Sequence, residues 1–203
     1  MIPLIETPAP TLALVALAAY LLGSVPFGLV IARVFGLGDL RQIGSGNIGA
    51  TNVLRTGNRA AAFLTLVLDA GKGAIAVLIA RFTLGEDAAQ LAAGASFLGH
   101  LFPVFIGFRG GKGVATFLGT TLALAFPVGL AACATWAATA ALFRISSLAA
   151  LTAAALAPLW MWILGEERML ALGMVLAVMI FIRHHTNISR LLSGTEPRIG
   201  RKG

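Results

Sequence analysis

Charge is scarce in this chain. Only 11% of its 203 residues are Asp, Glu, Lys or Arg, less than half of the roughly 25% that soluble domains carry. That shortage excludes a water-soluble globule, a charge-rich disordered chain and a nucleic-acid binder built on a basic surface. Cysteine is scarcer still: Cys133 stands alone in an apolar run, so neither a disulfide framework nor a cysteine-based metal site is available. The N-terminus, Met1-Ile-Pro-Leu-Ile-Glu6, lacks the basic region of a secretory signal. The first apolar run is therefore expected to stay in the mature protein.

What is abundant is apolar surface, at 58% of residues. Uncharged runs cover residues 7–32, 88–108, 113–143, 145–165 and 169–182, and residues 60–80 form another interrupted by Asp69 and Lys72. A bilayer core ~30 Å thick needs about 20 helical residues to cross it. The run at 113–143 is too long for one straight span, and Pro127 and Gly129 near its middle predict a turn there. The sequence therefore predicts an all-α, polytopic membrane protein with seven transmembrane helices, near 10–34, 60–81, 88–107, 113–127, 128–144, 146–165 and 168–186, forming one membrane-embedded domain over 1–203. The last span is short, with Arg168 and Arg183 placed to snorkel at its ends.

Charge parity selects seven spans over six. With the N-terminus outside and the C-terminus cytoplasmic, Arg33, Arg41, Arg55, Arg59, Arg109, Lys112, Arg144, Arg183, Arg190, Arg198, Arg201 and Lys202 all fall inside, and only Arg81 and Arg168 fall outside. Cytoplasmic loops carry the basic excess in membrane proteins. Six spans would put the basic tail on the wrong side.

Four polar segments carry the chemistry. In the first, Gly44, Gly46 and Gly49 alternate with Ser45, Asn47, Thr51 and Asn52, and Arg55 follows. Glycines let backbone approach an anion closely, and arginine grips phosphate bidentately. In the second, Asp69 and Lys72 sit three apart within an apolar run, where they form either a structural ion pair or a substrate contact. The third runs from His100 and Pro103 through Arg109 to Gly110-Gly111-Lys112-Gly113 at the start of an apolar run. Backbone donors at a helix start suit an anion. It is not a Walker A loop, because the glycine spacing differs and Gly113 stands where a magnesium-binding hydroxyl belongs. The fourth is Arg183-His-His-Thr-Asn-Ile-Ser-Arg190. On a helix continuing from the last span it sets His184 and Asn187, and Arg183 and Asn187, on one face. Arg198, Arg201 and Lys202 read as an anchor for anionic lipid. The seven-span arrangement opens the loop and tail segments on the cytoplasmic face, as a basic pocket for a ligand with two phosphates or for two phosphorylated ligands.

Taken in order, Gly44-Ser-Gly-Asn-Ile-Gly-Ala-Thr-Asn52 with Arg55, Gly99-His-x-x-Pro103 running into Gly110-Gly-Lys-Gly-Val-Ala-Thr116, Arg183-His-x-x-Asn-Ile188 and Gly194-Thr-Glu196 resemble the bacterial acyl-phosphate:glycerol-3-phosphate acyltransferases, the PlsY family. The resemblance implies transfer of an acyl group from acyl phosphate to the 1-hydroxyl of glycerol 3-phosphate, giving lysophosphatidic acid and inorganic phosphate, the first step of phospholipid synthesis. It implies that Ser45, Arg55, Lys112, His184 and Asn187 bind and orient glycerol 3-phosphate, and that Asn47, Thr51, Gly110 and Gly111 hold the donor phosphate. Gly49, Asn52, Asp69, Lys72, His100, Gly113 and Arg183 are further candidates for substrate contact. No metal or cofactor is expected. The expected partners are the two substrates, the lipid bilayer and the peripheral enzyme that makes acyl phosphate, with no nucleic acid. The expected location is the bacterial inner membrane, with the active site facing the cytoplasm.

Two mechanisms remain open at this stage. Either the donor's own phosphate oxygen or His184 accepts the hydroxyl proton, or Ser45 and His184 form a nucleophilic pair. The rival function is a transporter for a small phosphorylated solute, which usually shows inverted repeats; the two Gly-Lys-Gly tripeptides at 71–73 and 111–113 are a coincidence and not such a repeat. The His-x-x-x-x-Asp pattern of acyl-CoA-dependent acyltransferases is absent, since Phe105, Ser189 and Arg190 stand five residues after His100, His184 and His185.

Overall fold

The computed structural model describes residues 2–200. Among them the secondary structure is wholly helical: α1 (Ala9–Gly23), α2 (Phe27–Val34), α3 (Ala50–Leu54), α4 (Arg59–Thr83), α5 (Glu86–Leu101), α6 (Val114–Leu124), α7 (Phe126–Phe143), α8 (Ser146–Ile163), α9 (Leu170–Arg183) and α10 (His185–Leu192), with single 3₁₀ turns between some of them. Five segments are long and apolar enough to cross a membrane: Ala9–Val34, Arg59–Thr83, Glu86–Ile106, Phe126–Phe143 and Ser146–Ile163. A sixth arises if Glu167–Arg183 and His185–Leu192, bent by 64°, form one broken span. The protein is thus an all-helical membrane protein with five to six candidate spans. Helix α6 has 11 residues and extends ~16 Å at 1.5 Å per residue, short of the bilayer core.

The chain folds as two compact units, Ile5–Leu124 and the chain from Ala125 onward with the N-terminal tip. In the first, α5 packs along α1 and α4, and α4 also packs along α6. Close approach of α1 to α5 depends on missing side chains: a Cβ on Gly23 would lie 2.1 Å from the Ser96 carbonyl oxygen, and one on Gly99 would lie 2.2 Å from that of Tyr20. Small residues let helix backbones touch where lipid offers no hydrophobic drive for association. The segment entering α1 is pinned by Asp87, whose carboxylate accepts the Glu6 N–H at 3.0 Å, the Thr7 N–H at 2.8 Å and the Thr7 hydroxyl at 2.9 Å.

The stretch expected as one helix over 10–34 is interrupted at Ser24–Pro26, because Pro26 has no N–H to continue the ladder. The long run at 113–143 does divide in two. It breaks at Ala125, just before the expected turn, and Pro127 sits in the first turn of α7, where its missing N–H costs nothing. Arg81 closes the end of α6: its guanidinium donates to the Ala123 and Leu124 carbonyls at 2.6 and 2.7 Å and pairs with Glu86 at 2.8 Å.

In the second unit α8 packs against α7 and α9. The Trp160 indole N–H donates to the Thr135 hydroxyl at 3.0 Å and ties α8 to α7.

Candidate active site

The glycine loop after α2 folds around one buried side chain. Asn52 Oδ1 accepts from the Ser45 N–H at 3.2 Å and from its hydroxyl at 3.4 Å, and Asn52 Nδ2 donates to the Leu40 carbonyl at 2.9 Å. Asn52 is thus the internal tie of the loop. Gly44 turns with φ +53°, and a Cβ there would meet Arg55 Nη1 at 2.5 Å and Asn52 Oδ1 at 2.8 Å. Arg55 therefore lies flat against Gly44 on the same edge that carries Ser45. Both side chains are exposed. Asn47 Oδ1 accepts from the Ile48 N–H at 3.0 Å, Gly49 caps α3, and Thr51 sits on its exposed side.

The second loop of this unit joins α5 to α6. The Gly110 and Gly111 N–H groups donate to the Leu101 and His100 carbonyls at 3.2 and 3.1 Å. These two amides tie the loop down, so what the glycines offer a ligand is close approach. Gly113 takes φ +85° with the Phe97 ring directly beneath it and leads into α6. Lys112 between them is half-buried, and Arg109 before them is exposed. Under this loop lie Asp69, Lys72 and His100, only 2%, 3% and 5% exposed. Lys72 Nζ stands 2.9 Å from Asp69 Oδ1, and His100 Nδ1 stands 3.5 Å from the same oxygen. Neither approach has hydrogen-bond alignment at Oδ1; the Lys72–Asp69 ion pair and the close packing of the His100 ring hold the group together.

In the second unit, the expected continuous helix through His184 and Asn187 is not formed. Helix α9 stops at Arg183, His184 caps α10, and the two axes differ by 64°. His184 and Asn187 are consequently buried at the corner and not aligned on one straight face, and Arg183 is half-buried. His184 Nδ1 lies 2.8 Å from the Ile180 carbonyl oxygen. A carbonyl only accepts, so Nδ1 is the donor in this contact. This main-chain carbonyl helps to orient the ring.

Glu196 organises this corner. Its carboxylate accepts from Asn187 Nδ2 at 2.5 Å, Ser147 Oγ at 2.6 Å and Arg190 Nε at 2.6 Å. Burial acts to raise the Glu196 carboxyl, but these hydrogen bonds and the Arg190 charge outweigh it and hold the group below the usual carboxylate range. The sequence offered Glu196 only as part of the tail motif, with no partner. Its single signal was an acid isolated in a basic tail. Arg201 and Lys202, expected as lipid anchors, lie outside the described residues. Among the described residues no three His, Cys, Asp or Glu side chains group as a metal site.

Residues 13–194 match the family described as glycerol-3-phosphate acyltransferase. The chain is 71% identical over 200 residues to the glycerol-3-phosphate acyltransferase of Cereibacter sphaeroides (strain ATCC 17025), covering 98% of this chain and 95% of that protein. It is 71% identical to the one from Jannaschia sp. (strain CCS1), covering 99% of each. Crystal structures of PlsY (YgiH), an integral membrane glycerol 3-phosphate acyltransferase, superpose on it with TM-scores of 0.89 in the glycerol 3-phosphate form and 0.87 in the lysophosphatidic acid form, at 42% and 41% identity, covering 94% of this chain and 96% of PlsY. Matched by the family from residue 13 to 194 and by relatives over 98–99% of its length, the chain belongs to the glycerol-3-phosphate acyltransferase family and is an integral membrane acyltransferase of the PlsY type.

Proposed function

We propose that this enzyme takes its acyl group from acyl phosphate and delivers it to the 1-hydroxyl of glycerol 3-phosphate. The observation that carries this reading is the pairing of exposed Ser45 and Arg55 on one edge of a glycine loop, with Arg55 laid over Gly44, together with PlsY structures in glycerol 3-phosphate and lysophosphatidic acid forms. Arg55, Lys112 and Ser45 bind the glycerol 3-phosphate. Asn47, Thr51 and the close approach permitted at Gly110 and Gly111 serve the donor phosphate.

Acyl phosphate is a mixed anhydride with a good leaving group, so direct attack suffices. The hydroxyl oxygen of glycerol 3-phosphate bonds to the acyl carbon, and the bond from that carbon to the phosphate oxygen breaks. The departing phosphate accepts the hydroxyl proton. The protein contributes proximity and cancels repulsion between two anions. We further propose seven spans, with α6 the shortest, an outside N-terminus and a cytoplasmic active site in the bacterial inner membrane. The basic residues counted above support that orientation.

The test uses purified protein in detergent with glycerol 3-phosphate. Palmitoyl phosphate should yield lysophosphatidic acid and phosphate without magnesium or ATP, and palmitoyl-CoA should not substitute. Comparable turnover with palmitoyl-CoA, or an absolute need for magnesium, would overturn the donor assignment. Turnover without a membrane barrier also excludes a transporter.

A further inference from the structure

Charged side chains inside an apolar helix are costly and need a reason. Asp69, Lys72 and His100 are buried under the Gly110–Lys112 loop, and the way they are joined gives one. The His100 imidazole spans a gap. Its Nδ1 faces Asp69 Oδ1 at 3.5 Å, and its Nε2 edge occupies the space where a Gly111 side chain would be, since a Cβ there would fall 2.2 Å from Nε2. The His100 carbonyl also accepts the Gly111 N–H at 3.1 Å. Beyond the loop, the Thr116 hydroxyl donates to the Asp69 carbonyl at 2.9 Å. The loop is therefore fastened to the level of Asp69 on both sides, by His100 before it and Thr116 after it. Lys72 completes the set: Nζ donates to the Val25 carbonyl at 2.9 Å, at the break between α1 and α2, and lies 5.7 Å from the centre of the Phe27 ring.

We propose that His100, oriented by Asp69, is a positioning residue for acyl transfer, which sets the height of Gly111 and so aims Lys112 without touching either substrate. The inference rests on the reading above, in which Lys112 holds glycerol 3-phosphate. A ring wedged beneath a glycine fixes the loop only while both its edges are engaged. Removing the carboxylate or filling Gly111 should therefore misplace Lys112 in the same way.

The test is glycerol 3-phosphate binding to purified protein without donor, by calorimetry, in His100→Gln, Asp69→Asn, their pair, Gly111→Ala, His100→Ala, and the last two combined. His100→Gln and Asp69→Asn should each weaken binding about tenfold, and the pair should be no weaker than the worse single variant, because two members of one unit couple. Gly111→Ala should weaken binding at least as much alone, but add less than threefold in a His100→Ala background, where its methyl has room. In turnover assays of His100→Gln and Asp69→Asn the KM for glycerol 3-phosphate should rise more than that for palmitoyl phosphate, whereas Gly111→Ala should raise both. Unchanged binding in a folded His100→Gln protein, or full additivity of the pair, would overturn the proposal. Should His100→Gln fail to fold, Asp69→Asn and the Gly111→Ala pair decide it by the same criteria. Because the main readout is binding, an error in the donor assignment shows separately, as wild-type protein that binds glycerol 3-phosphate but does not consume acyl phosphate.

Discussion

Glu196 accepts a hydrogen bond from Asn187 at 2.5 Å, so a tail carboxylate fixes a buried side chain of α10. The same carboxylate reaches Ser147 at the start of α8 and Arg190 on α10, and one side chain thereby joins three pieces of the second unit.

Replacing Glu196 with Gln should lower the Tm in detergent by several degrees. Hydrogen bonds to a charged group contribute about 1.5–3 kcal/mol, and each kcal/mol moves Tm about 2–4 °C for a chain of this size. The pH dependence has a definite sign. Because the folded state holds this carboxyl below its ordinary value, its stabilisation is fully present above the ordinary carboxylate range and is lost as pH falls through the depressed folded value. The Tm gap between wild type and Glu196→Gln, followed by thermal unfolding, should close on acidification. A constant gap would contradict it.

Arg55→Ala should reduce acyl transfer at least 100-fold, and Arg55→Lys should not restore it. A point charge cannot reproduce a flat, bidentate grip on phosphate. Gly44→Ala should resemble the arginine variants, since its methyl would displace Arg55. Steady-state kinetics on the three proteins checks this, and wild-type rates in Arg55→Lys would remove the bidentate argument.

Arg81→Ala should destabilise without altering KM for either substrate. The arginine ends α6 by capping Ala123 and Leu124 and bracing Glu86, and the proposed mechanism gives it no substrate contact. Arg81→Lys should recover part of the lost Tm, since an ammonium supplies fewer aligned donors. Thermal unfolding alongside kinetics separates the two effects.

Orientation is open to labelling in intact cells. With Cys133 replaced by Ala, cysteines at Glu86 and Arg198 should react with a membrane-impermeant reagent from opposite sides. Labelling of both from one side would discard the seven-span topology.

Much of the fold was legible in the sequence, because apolar length is a strong signal and lipid demands continuous helix. The span expected at 60–81 is α4, Arg59–Thr83. The split of the long run was legible as well, although Pro127 marked the start of α7 and not the turn itself. Local breaks were harder to read. Pro26 interrupts the first span, and nothing in residues 183–187 announces a 64° bend. In the site, glycine-rich composition predicted backbone donors, yet the Gly110 and Gly111 amides are spent on carbonyls in the last turn of α5. Spacing along the chain shows which groups are near one another. It does not show where each donor points.

The placement of Asp69 and Lys72 one helical turn apart on α4 also bears on how the protein is made. Helix α4 emerges from the ribosome ahead of α5, so it meets the lipid before His100 is there to help it. A lone lysine at the centre of an inserting helix costs about 2.5–3.5 kcal/mol. Because its counter-charge travels on the same helix, α4 can partition as a locally neutral segment.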